Sequence, residues 1–141
     1  MKKNIIALSL IIGGFIALPN SSWAQFELDK KAPNISVQPV WGPVGHNYVS
    51  HYYLPAVDIY YDVNQQLFII KEGTKWQSVQ VLPKKYNKLD LYTTYKVVLP
   101  YDDPQPYKKN KKHKSENSDY QKGSKQVSIL DASKVDKRYH R

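Results

Sequence analysis

The chain has 141 residues and no cysteine, which excludes a disulfide framework, a thiolate nucleophile and a cysteine-borne lipid. Its formal charge of +9 is unevenly placed. Residues 25–106 balance eight lysines against eight carboxylates, whereas residues 107–141 set eleven Lys or Arg against four carboxylates, a surplus of +7. This distribution predicts a neutral domain followed by a basic tail.

In chain order, Lys2 and Lys3 precede the apolar or small run Ile5 to Leu18. Pro19 and Asn20 break the run, and Ser22-Trp23-Ala24 follow. That succession predicts a secretory signal peptide over residues 1–24, cleaved between Ala24 and Gln25. A retained span needs roughly 20 apolar residues, more than this run supplies, so no transmembrane span is expected after cleavage. The short signal and the lack of cysteine point to a bacterial envelope protein, periplasmic or secreted. Residues 25–45 contain Pro33, Pro39 and Pro43 without a sustained period. They predict an extended leader that docks, if at all, through Phe26 and Trp41.

Residues 46–103 predict a small all-β domain, an antiparallel meander of four to five strands. A strand at Tyr48 to Leu54 ends at Pro55. Ala56 to Val63 alternates, with Val57, Ile59, Tyr61 and Val63 on one face and Asp58, Tyr60 and Asp62 on the other. Those carboxylates are expected to turn the second face to water. Asn64-Gln65-Gln66 turns into Leu67 to Lys71, and Glu72-Gly73-Thr74 is a second turn, with Gly73 suited to positive φ. Trp76 to Leu82 stops at Pro83, Lys84 to Tyr92 is a loop or a short helix, and Thr93 to Leu99 ends at Pro100. Nine of the twelve tyrosines fall between Tyr48 and Tyr101, and the core is expected to use them at its rim. From Pro104, residues 104–141 are Lys-rich, with only Val127, Ile129, Leu130 and Val135 as late apolar contacts, and are expected to be disordered.

The succession His51-Tyr52-Tyr53-Leu54-Pro55, Val57-Asp58-Ile59-Tyr60-Tyr61-Asp62, Gly73-Thr74-Lys75-Trp76 and Leu82-Pro83 resembles a group of small exported bacterial proteins of unassigned function. They share a Tyr-rich segment ending in Pro, a Val-x-x-Tyr-Tyr-Asp strand, a Gly-x(1–2)-Trp turn and a Leu-Pro strand end. Pro106-Tyr107 and His113 are similar to the Pro-Tyr pair and the His of a charged segment in that group. The resemblance covers residues 46–113. It implies export and these domain boundaries, and no catalytic role.

No catalytic constellation emerges from the residues. Asp58 and Asp62 share a face, but four strand residues hold them roughly 13 Å apart, too far for paired acid–base work. Asp102-Asp103 sits in a Pro-flanked loop without an evident His or Lys partner. His46 and His51, five apart, fall on opposite faces of a strand, and His113 and His140 are poorly placed as further zinc ligands. All four are expected at the surface or rim, and no metal or cofactor is expected. Asn34-Ile35-Ser36 matches a glycosylation acceptor only by chance.

The candidate anion contacts are Lys108, Lys109, Lys111, Lys112 and Lys114. Tyr53, Tyr60, Tyr61 and Trp76 are candidates for core aromatics or a partner surface. Together they suggest a non-enzymatic envelope binding or interaction module. Its basic tail would contact anionic polymers such as lipopolysaccharide phosphates, anionic headgroups, teichoic-type polymers or extracellular DNA, without specific nucleic-acid recognition. The alternatives are a structural or folding-assistance component of the envelope that packs on other envelope proteins, and a small hydrolase or metal-binding protein.

Overall fold

The computed structural model describes residues 31–122 and 126–139. The signal segment, Phe26 and His140 lie outside the described residues. Five strands, β1 (His51–Leu54), β2 (Ile59–Asp62), β3 (Leu67–Glu72), β4 (Lys75–Val79) and β5 (Val97–Leu99), form one antiparallel sheet in the order β4-β3-β2-β1-β5. The first four make a meander, and β5 returns along the free side of β1. This makes β1, a strand marked in the sequence mainly by its closing proline, the centre of one half of the sheet.

Turn chemistry sets the register. Gly73 takes φ +59° between β3 and β4, a conformation open to glycine at no steric cost. Asp58 and Gln66 take φ of 54° and 57° in the other two hairpin turns. Pro55 to Asp58 is therefore turn rather than strand, and β2 starts at Ile59, three residues later than the alternation suggests. Tyr53 then stands opposite Tyr60, Tyr52 opposite Tyr61 and His51 opposite Asp62.

Both faces of the sheet are covered. On the first, Tyr52, Leu54, Ile59, Tyr61, Phe68 and Ile70 pack with Trp41 of the leader and with Leu82, Tyr86, Leu89 and Leu91 from the long connection between β4 and β5. Trp41 meets Tyr61 edge-on at 4.8 Å and Tyr52 at 5.7 Å. Gly42 beside it is required by this fit, because a Cβ there would lie 2.6 Å from the Tyr52 hydroxyl. Asn34 acts as a substitute strand: its Oδ1 accepts from Val49 N at 2.9 Å and its Nδ2 donates to Val49 O at 2.7 Å. The side chain is thus occupied by the backbone of its own domain.

The second face corrects the sequence reading. Tyr60 and Asp62 are buried, although the alternating carboxylates suggested a wet surface. Tyr53, Tyr60, Ile69 and Leu99 form a second cluster with Trp76, Val97 and Tyr107. Tyr52, Tyr53 and Tyr60 are central rather than at the rim, being wholly buried, whereas Tyr92 and Tyr101 are exposed. The cover comes from the first part of the tail. A 3-10 turn Pro106–Lys109 leads into α1 (Asn110–Glu116), followed by a 3-10 turn Ser118–Lys122 and by α2 (Ile129–Tyr139). Where composition predicts an unstructured tail, these segments are helical, because the first lies on the sheet and the start of the last is tied to the leader. Val44 N donates to Val127 O, Ile129 N to Gly42 O and Leu130 N to Val40 O. Ser128 Oγ accepts from Asp131 N and donates to Asp131 Oδ2, an N-terminal capping pair. The lysine side chains of α1 stay outside.

Lys96, just before β5, is only 2% exposed. Its backbone N–H and C=O bond to the Gln126 side-chain amide at 3.0 Å each, which closes that edge of the sheet. Its ammonium lies 5.8 Å from the Trp41 ring centroid. Burial lowers the Lys96 ammonium from 10.5 to about 8, against an opposing pull from Asp90. The folded state thus binds fewer protons than the unfolded chain between these values, so stability rises with pH across that window. Lys96→Met is expected to raise stability at neutral pH by roughly 1–3 kcal/mol and to flatten the rise between about pH 8 and 10.5. Urea melts at two pH values check this, and a destabilised variant would show that the ring contact outweighs desolvation.

Candidate functional site

The expected site residues separate onto two faces. Tyr53, Tyr60 and Trp76 come together on the second face, whereas Tyr61 lies on the first, 4.8 Å from the Phe68 ring. Trp76 meets Tyr60 edge-on at 5.5 Å and stacks on Tyr107 at 5.5 Å and 17°. The His113 ring sits over the pair, 5.7 Å from Tyr53 and 5.8 Å from Tyr60. These aromatics are therefore a covered contact surface within the molecule.

A polar latch fixes the cover. Asp58 accepts from Tyr53 Oη at 3.0 Å and from Asn110 Nδ2 at 2.6 Å on Oδ1, and its Oδ2 faces Lys114 Nζ at 3.2 Å. Asn110 Nδ2 also reaches Tyr60 Oη at 3.2 Å, and Tyr60 Oη is 2.9 Å from His113 Nδ1. Burial pushes the Tyr60 phenol up to about 12 and the Tyr53 phenol higher still, so both remain neutral hydrogen-bonding groups. Burial also holds the His113 imidazole below its usual value, and Lys109 and Lys112 add to that. Stability from this contact is therefore lost as pH falls from about 6.5 through the lowered folded value.

Sequence reasoning missed Asp58, Asn110 and His113 as a unit. The signal that carries it is spacing: Tyr107, Asn110 and His113 recur at intervals of three, one face of a helical segment. Within Lys108 to Lys114, Asn110 and His113 are also the two residues that are not lysine.

Four of the five lysines project away from this contact while Lys114 reaches its Asp58, and three in all are engaged by carboxylates. Lys109 pairs with Asp103 at 3.1 Å, Lys112 with Glu116 at 3.7 Å and Lys114 with Asp58 at 3.2 Å. Among the described residues, Lys108 and Lys111 have no carboxylate within ion-pair distance. Between α1 and β5 runs a groove of about 460 Å³, with Val97, Leu99 and Tyr101 on one wall and Lys109, Lys112 and His113 on the other.

Several expectations about titratable groups need correction. Asp102 accepts hydrogen bonds from Lys31 and Tyr48, and Asp103 from Gln105 N at 3.0 Å besides its pair with Lys109. The loop that seemed partnerless in sequence is thus tied to residues up to 71 positions away. Among the described residues His51 is buried rather than at the rim, His113 is half-buried and His46 is exposed. Among the described residues no three of His, Asp and Glu are arranged to hold a metal ion, and no helix is long and apolar enough to cross a membrane. No protein-family model, curated protein or solved structure matches the chain.

Asp58→Ala leaves the buried Tyr53 hydroxyl without its acceptor and releases Asn110 and Lys114. A loss of about 1–3 kcal/mol is expected. Trypsin should then cleave after Lys108, Lys111 or Lys112 much faster than in the unaltered chain. Unchanged cleavage would show that Asp58 does not hold the helix down.

Proposed function

We propose that the protein is a non-enzymatic binding module of the bacterial envelope, periplasmic or secreted, which contacts anionic polymers through its lysine-bearing strap. The observation that supports this reading is the latch: it turns Tyr107, Asn110 and His113 to the sheet and so leaves Lys108, Lys111 and Lys112 directed outward. A lysine array on an ordered strap loses less side-chain and backbone freedom on binding than one on a coil. The neighbouring apolar wall of Val97, Leu99 and Tyr101 suits a polymer that carries hydrocarbon beside its anionic groups. An encounter outside the cytoplasm accords with the signal peptide expected over residues 1–24, and lipopolysaccharide phosphates and teichoic-type polymers supply such groups there.

Truncation at Gln105 would uncover Tyr53, Tyr60 and Trp76, so charge-neutral substitutions make the cleaner test. Lys108→Gln with Lys111→Gln should lower the salt needed for elution from immobilised heparin or lipopolysaccharide. The change should exceed that from Lys112→Gln with Lys114→Gln, because the latter pair already faces carboxylates and binding tracks the counterions released. Equal elution of all three proteins would remove the strap from the account.

A second reading, a structural or folding-assistance component held by apolar contacts, draws on one observation. Ile35, Val37, Val40, Val44 and Val127 are exposed, and Ile35 and Val44 line a groove of about 310 Å³ between the leader and α2. Association with an envelope protein that survives high salt would favour it over polyanion binding.

A further inference from the structure

The chain closes exposed backbone with side-chain amides. Asn34 pairs with both backbone groups of Val49, and Gln126 does the same for Lys96 beside β5. The other edge of the sheet, β4, is different. Gly73-Thr74 is a two-residue loop, so Glu72 and Lys75 face each other as a hydrogen-bonded pair. Backbone direction alternates along a strand. Gln77 and Val79 therefore turn their N–H and C=O groups to β3, while those of Trp76 and Ser78 point out of the sheet. Among the described residues no backbone group pairs with them.

The side chains leave this edge open as well. Natural sheets blunt their edges with charges, prolines or bulges. From Trp76 to Leu82 the sequence is Trp-Gln-Ser-Val-Gln-Val-Leu, without a charge or a proline, and Gln77 and Ser78 are exposed. β4 follows β3 in unbroken register from Lys75 to Val79, so no bulge twists it away.

We propose that β4 pairs with β4 of a second copy, antiparallel, about a two-fold axis at Gln77. This register sets Trp76 opposite Ser78 of the second copy and uses every outward group. Two N–H and two C=O groups from each copy make four hydrogen bonds, all within Lys75–Val79. The side chains agree with it. Trp76, half-buried and stacked on Tyr107, meets a small hydroxymethyl group rather than another ring. Lys75 lies opposite Val79 and covers it with its apolar stem, and four strand residues hold the two Lys75 backbones roughly 13 Å apart. Parallel pairing would set Lys75 beside its own copy, a like-charge contact that destabilises a sheet. A second copy carries this match by symmetry, since a two-fold interface is complementary to itself.

A single strand pair falls at the low end of specific interfaces, below about 1,200 Å². A monomer–dimer equilibrium is therefore expected rather than a permanent dimer. The two-fold axis runs normal to the sheet, because paired residues of antiparallel strands point to the same face. Both straps then lie on one side of a ten-stranded sheet. A single polymer can reach Lys108 and Lys111 of both copies, which raises avidity without a new contact. This last consequence rests on the proposed polyanion contact; the pairing itself does not.

Sedimentation of the full chain without polyanion, from about 1 μM to about 1 mM, reads the equilibrium. The weight-average mass should rise with concentration from one chain toward two, and the Trp76 and Ser78 amides should gain protection from exchange in parallel. Gln77→Lys and Gln77→Glu alter an exposed side chain at the axis. Each alone should lose the dimer through like-charge repulsion, and mixing the two should restore it. A single-chain mass at every concentration, or a dimer indifferent to both substitutions, would overturn the proposal. A monomer whose Trp76 and Ser78 amides become protected only in envelope extract would overturn it too, and would assign the edge to a strand of another protein. Failure here leaves the strap contact standing, because heparin elution of Lys108→Gln with Lys111→Gln is read independently of β4.

Discussion

A five-stranded sheet with aromatic side chains on both faces needs two covers, and the cover over Tyr53 and Tyr60 hangs on one turn residue, Asp58. Its carboxylate takes the Tyr53 hydroxyl from the sheet and Asn110 from the strap, so one side chain joins the layers. It does this from φ +54°, a conformation that aspartate tolerates better than most residues. The β1–β2 hairpin and the docking of the strap therefore depend on the same position. Without the strap the domain would expose rings that contribute most of its second cluster, and few residues remain to replace them.

The two ends of the central hairpin β1–β2 differ in chemistry. At the turn end, Asp58 is saturated by Tyr53, Asn110 and Lys114, which is a structural use of a carboxylate. At the open end, Asp62 lies 3.4 Å from His51 Nε2, which has no hydrogen-bond partner among the described residues. The same residue type on the same short strand pair thus fastens the strap at one end and stands against a buried histidine at the other. The lysines follow a similar division: those at positions 109, 112 and 114 are drawn into ion pairs, and those at 108 and 111 face no carboxylate among the described residues. Such exposed pairs contribute little to stability.

Much of the sheet was legible because period two is a local property. Ile59, Tyr61 and Val63 announce one buried face, Gly73 announces the β3–β4 turn, and Pro83 and Pro100 follow strands that end before them. What stayed hidden depends on partners distant in sequence. Asp58 and Asp62 look like markers of a wet face until Asn110 and His51 stand against them. Pairing of β5 with β1 follows from chain geometry that no local pattern encodes. The lysine run was the least legible part, since composition averages over Lys108 to Lys114 and dilutes the two residues, Asn110 and His113, that dock it. Asp102 and Asp103 seemed unpartnered for the same reason: their lysines are Lys31 and Lys109, one of them in the leader.

The account rests on residues 106–116 lying against the second face of the sheet while Lys108 and Lys111 point away. Proton–proton nuclear Overhauser contacts between the His113 ring and the rings of Tyr53 and Tyr60 measure this directly. Strong cross-peaks to both tyrosines, with Tyr107 protons shifted by the Trp76 ring, are the expected result. Random-coil shifts throughout residues 106–116, with no contact from His113 to either tyrosine, would contradict it.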